Sequence, residues 1–83
     1  MNKLLKNNEY FQTSDFTLAS CLITIGFALE VLDKAIPSKV QFIFKKDKAL
    51  ESTIQAYWLK ELKLEPQAFS SNQKMLKTRL YDN

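Results

Sequence analysis

The chain has 83 residues, 46% hydrophobic and 25% charged, with one Gly, two Pro, one Cys and no His. That length holds one small core; the chain is too apolar for a disordered segment and too poor in Gly and Pro for a fibrous one. A lone cysteine forms no intramolecular disulfide, and without histidine the metal sites and acid–base devices built on imidazole are excluded.

Twelve basic residues stand against nine acidic ones, a net charge of +3. Residues 1–44 are balanced, with Lys3, Lys6, Lys34 and Lys39 against Glu9, Asp15, Glu30 and Asp33. The whole excess therefore falls in residues 45–83. This asymmetry permits an anionic partner such as nucleic acid, although ordinary solubility accounts for a charge of this size equally well. The most apolar stretch, Phe16 to Leu32, is short for a membrane span and holds Gly26 and Glu30. A secretion signal fits poorly, because Glu9 and Asp15 separate the leading lysines from the apolar run. No membrane partner and a cytoplasmic location are expected.

In chain order, residues 1–9 are expected to be a flexible N-terminal segment and residues 10–83 a single compact domain, with Tyr10 and Phe11 docking on the core as the chain enters it. Thr13-Ser14-Asp15 reads as a helix start, Thr13 or Ser14 capping and Asp15 favouring the positive end of the dipole. Gly26 stands where a left-handed residue ends a helix, which predicts helix one over 14–25. Apolar residues cover most of that helix's circumference, with Thr17, Ser20 and Thr24 as its polar strip. Such a helix is central to the fold or covered by a second copy. Alternation in 27–33 and in 39–45, about a Pro37-Ser38 turn, predicts an antiparallel hairpin. Asp47 caps a predicted helix over 48–60, with Leu50, Ile54, Tyr57 and Trp58 on its core face and Glu51 and Gln55 outward. Pro66 suits the first position of a third helix, lined by Phe69, Gln73, Leu76 and Leu80. The expected fold class is α+β, in the order α-β-β-α-α, a two-stranded hairpin packed against three helices.

Catalytic machinery is hard to assemble from these residues. Cys21, without a histidine beside it, reads as an inert core thiol, and Asp15 as a helix-start residue. Glu30 and Asp33 match no hydrolase pattern, and one glycine cannot build a phosphate-cradling loop. The chain is expected to be no enzyme, with no cofactor, no metal and no small-molecule substrate. Tyr57-Trp58 and the Val40–Phe44 strand could stack on bases, but core packing explains both more simply. The basic residues are the better candidates. Lys45, Lys46 and Lys48 mark the strand exit, Lys60 and Lys63 end helix two, Lys74 and Lys77 share the outer face of helix three, and Arg79 points elsewhere. Lys45, Lys46, Lys48, Lys74, Lys77 and Arg79 are the candidate phosphate-contacting residues of a small DNA- or RNA-binding accessory protein. The alternative is a protein-interaction or homodimerisation module joined through helix one or the open sheet edge.

The segments Y-F-Q-T-S-D-F-x-L-A-S-x-L-x-x-x-G-F, V-x-F-x-F, A-Y-W and P-x-x-F…L-K-x-R-L-Y, spread over residues 10–81, resemble a small bacterial domain family of unknown function. Asp15, Gly26, Phe42, Phe44, Tyr57, Trp58, Pro66, Phe69, Lys77 and Leu80 fall on its pattern. The resemblance implies a self-contained domain and brings no catalytic residues with it. After the Tyr-Trp pair, members of that family more often carry polar or glycine residues than the Leu59-Lys60 found here. That departure marks Leu59 as an exposed apolar residue and a hint of an interface.

Overall fold

The computed structural model describes residues 9–82. Apart from Glu9, the segment expected to be flexible lies outside the described residues. The elements are β1 (Tyr10–Thr13), α1 (Phe16–Ile25), β2 (Leu29–Asp33), β3 (Gln41–Lys45), α2 (Lys48–Trp58) and α3 (Pro66–Tyr81). The fold is α+β, as expected, but the sheet has three antiparallel strands in the order β1-β3-β2. The predicted hairpin is present as β2 and β3, and Tyr10–Thr13, expected only to dock on the core, adds a strand on the far side of β3. The chain enters the sheet at Glu9, whose carbonyl accepts from the Lys46 N–H at 2.9 Å.

Local chemistry sets the helix ends. Asp15 is the N-cap of α1, its Oδ1 accepting from the Leu18 N–H at 3.1 Å, while Thr13 Oγ1 accepts from the Asp15 N–H instead of capping. Helix α1 therefore starts at Phe16 rather than at residue 14. At its other end Gly26 takes φ 127°, and the Phe27 N–H reaches the Leu22 carbonyl at 2.9 Å. This is the bonding of a Schellman stop. Helix α2 ends the same way, the Glu61 N–H reaching the Ala56 carbonyl at 2.9 Å, but its left-handed residue is Lys60, at φ 62°. Asp47 caps α2 through the Leu50 N–H, and Glu65 caps α3 through Gln67 and Ala68, with Pro66 in the first turn.

The core lies between β3 and α1. Leu18, Ala19 and Leu22 of α1, Phe42 and Phe44 of β3, Leu50 of α2 and Leu76 of α3 form one buried cluster. Phe16 meets Phe42 edge to face, with ring centroids 6.3 Å apart. Every residue from Leu18 to Leu22 is buried, which makes α1 the central helix. Its polar strip has a structural use: Asn72 of α3 donates to Thr24 Oγ1 at 2.9 Å, and the Thr24 and buried Ser20 hydroxyls donate back to α1 carbonyls. Covered by its own chain, α1 has no bare apolar side that needs a second copy.

A bulge sets the register of β2. Leu29 pairs with Phe44, but Val31 pairs with Ile43, so Glu30 is the extra residue. Leu29 and Leu32, three apart, thus both reach the core cluster, where strict alternation would have turned Leu32 away.

Lys60 is the strained point of this scaffold, because a side chain in the left-handed region costs about 1 kcal/mol or more relative to glycine. Lys60→Gly is expected to stabilise the fold by about 1 kcal/mol, raising the melting temperature by about 4–8 °C. Calorimetry checks it, and an unchanged or lower melting temperature contradicts it.

Candidate functional site

The candidate cations fall into separate groups. Lys45 closes β3, and Lys46 and Lys48 follow it at the junction with α2. Lys74 and Lys77 are exposed one turn apart on α3. Arg79 lies at the opposite end of the sheet from Lys45. The Lys34 ammonium, just past the end of β2, donates to the Arg79 and Asp82 carbonyls at 2.5 and 2.6 Å, closing the C-terminus of α3. Asp33, the last residue of β2, pairs with Gln41 at the start of β3. The Arg79 carbonyl thus lies towards the end of the sheet where β3 begins, and Lys45 at the end where β3 stops. Lys45, Lys46 and Lys48 are neighbours in the chain at the β3–α2 junction, and the Arg79 backbone lies towards the other end of β3.

The strand aromatics offer nothing to a base, since Phe42 is 2% and Phe44 0% exposed. The pair at the end of α2 behaves otherwise. Tyr57 packs against the core cluster and its hydroxyl donates to Asp15 Oδ2 at 3.2 Å, tying the end of α2 to the start of α1. Trp58, expected in the core, is 64% exposed, and Leu59 beside it 63%. The wheel holds the reason: eight residues beyond Leu50 is about 80° further round the helix, at the margin of the buried face. Trp58 rests edge-on against Tyr57, centroids 4.9 Å apart, with most of its surface in solvent.

The family model described as a domain of unknown function, DUF5659, matches residues 8–82, spanning every strand and helix. The chain belongs to this family. No curated protein and no solved structure matches it.

Near the Tyr57–Asp15 bond sits Cys21, 6% exposed, its thiol pushed above the ordinary 9.0 by burial and then by the Asp15 charge. That favours the protonated thiol and fits the core reading. Tyr57 is raised above its ordinary 10.0 by burial first, then by the Asp15 charge, the hydrogen bond to Asp15, and Cys21. Asp15 spends its oxygens on the cap and on Tyr57, a joining role. Among the described residues no three His, Cys, Asp or Glu side chains gather to hold a metal ion, and no helix is long and apolar enough to cross a membrane.

Both raised groups keep their protons longer in the folded chain than in the unfolded one. The stability they contribute is complete below about pH 9 and is lost as the pH rises through 9 and 10 towards the folded values. Denaturant unfolding from pH 7 to 11 is expected to show this decline, and Tyr57→Phe to reduce it. Stability that rises above pH 9, or an unaltered decline in the variant, contradicts the assignment.

Proposed function

We propose that this DUF5659 domain is a small non-enzymatic protein-interaction module whose binding surface is the flank formed by the end of α2 and the outer edge of β1. One observation carries the reading: Trp58 and Leu59, both mostly exposed, are consecutive in the chain and form an apolar pair, whereas Ile36 and Tyr81, the other large apolar residues exposed to that degree, each follow or precede polar or small neighbours. Tryptophan is prominent among residues that dominate interfaces, and an exposed Trp-Leu pair contributes nothing comparable to folding. Among the described residues β1 has β3 as its one strand neighbour, and an edge strand of this kind can pair through its backbone with another chain.

A photo-cross-linking residue at Leu59 is expected to yield a discrete protein adduct in cells, which disappears in a Trp58→Ser background that melts like the parent. The same residue at exposed Gln67, at the start of α3, should give none. No adduct from Leu59, or equal adducts from both positions, contradicts the reading.

A second reading, a DNA- or RNA-binding accessory protein, is favoured by the clustering of Lys45, Lys46 and Lys48 and by the exposed Lys74–Lys77 pair. Its signature is affinity for labelled DNA or RNA that falls about a hundredfold or more between about 50 and 200 mM salt. Absence of binding at micromolar protein and the lower salt leaves these lysines as solubilising surface.

A further inference from the structure

We infer that the partner on this flank is a second copy of the chain, with β1 pairing antiparallel to β1 of the copy across a twofold axis. In the same dimer Trp58 of each copy seats on the exposed side of the other's α2. The inference rests on the interaction-module reading and names its occupant.

The two edges of the sheet are guarded very differently. Edge β2 carries the Glu30 bulge, ends in Asp33 and is followed by Lys34, which reaches across to α3. Bulges and charges of this kind keep edge strands from pairing with other chains. Edge β1, Tyr-Phe-Gln-Thr, has no charge, no proline and an unbroken register against β3. Among the described residues it is the sheet edge without protection.

A four-residue strand cannot hold a dimer alone, since stable interfaces bury about 1,200 Å² or more. The remainder comes from α2, whose course is fixed relative to β1. Tyr10 pairs with Lys45, three residues before α2 begins, and Thr13 lies two residues before Asp15, to which Tyr57 at the end of α2 is bonded. Strand β1 and helix α2 therefore run the same way between the same two ends of the domain. Helix α3 belongs to the other side: Lys34 closes its end, and Leu80 shares a groove of about 340 Å³ with Pro37 and Val40 of the β2–β3 loop. A twofold axis that sets β1 antiparallel to its copy accordingly sets α2 antiparallel to its own, and brings Trp58 of one chain opposite Lys48 of the other.

The receiving surface fits. Lys48, Glu51, Ser52 and Gln55 are all exposed and line a shallow, solvent-open groove along the outer side of α2. An indole laid there meets the Lys48 ammonium over its face, and its Nε1–H has the Glu51 carboxylate as acceptor. Anchor and groove lie on the same helix, so two copies satisfy each other and the contact closes at a dimer instead of propagating.

The test is sedimentation equilibrium of the purified chain from about 1 µM to about 1 mM, read with the fluorescence of its only tryptophan, Trp58. The expected mass rises from 9.7 kDa towards twice that, and the emission shifts to the blue as Trp58 leaves water. Amides of β1 directed away from β3 become slower to exchange at high concentration. Trp58→Ser and Lys48→Glu, both at exposed positions, are expected to weaken association at least about tenfold without lowering the melting temperature. A mass of 9.7 kDa throughout, a dimer indifferent to both substitutions, or a dimer with unprotected β1 amides overturns the inference. If the chain stays monomeric while Leu59 still yields a Trp58-dependent adduct with another protein, self-association falls and the module reading stands.

Discussion

Everything in this domain depends on the contact between the inward face of β3 and the central helix. Phe42 and Phe44 present two buried rings, and Leu18, Ala19 and Leu22 of α1 lie against them. Each of the leucine and phenylalanine side chains contributes about 1.5–3 kcal/mol on burial, a large share of what a domain this small has available. The other elements are arranged by that contact. Strands β1 and β2 flank β3, and α2 and α3 each deliver one fully buried leucine, Leu50 and Leu76, to the same cluster. The polar groups that join the layers, Asp15 with Tyr57 and Thr24 with Asn72, are hydrogen-bonded across helices and fix which helix lies on which side of α1.

With α1 covered from within, the surface left for function is what the core does not use. The candidate basic residues stand at the end of β3, at the start of α2 and on the outside of α3, where charged side chains are ordinarily found. The Trp58–Leu59 pair has no comparable explanation from stability. It stands where the helix must end, just before Lys60 turns the chain through a left-handed conformation that glycine would adopt more readily. Exposure of that pair and the strained Lys60 are the features on which the proposed interaction surface rests.

Local chemistry in the sequence reached far into this fold. Asp15 and Gly26 bracket α1, Pro66 opens α3, and the alternation from Val40 to Phe44 marks a strand, because caps, stops and alternation are written in neighbouring residues. What escaped was decided at a distance. Tyr10–Thr13 is a strand because β3 pairs with it, and four residues ahead of a helix cap carry too little pattern to announce that. The Glu30 bulge, which returns Leu32 to the core, arises from register against β3 and leaves no local mark. Trp58 was misplaced for a different reason: its spacing from Leu50 is helical in kind, yet far enough round the helix to clear the core. In the candidate site the places of Lys45, Lys46 and Lys48 at the end of β3 and the start of α2 followed from the elements read in the sequence. The place of Arg79 followed from how α3 packs against α1, which no spacing records.

The most direct test of this account is native-state hydrogen exchange of the α1 amides in dilute protein. If β3, α2 and α3 of the same chain cover α1, the amides of Leu22 and its neighbours should exchange only through global unfolding, with protection independent of protein concentration. Exchange of those amides by local opening at dilution, with protection gained as concentration rises, would show that a second molecule completes the core and would contradict the account.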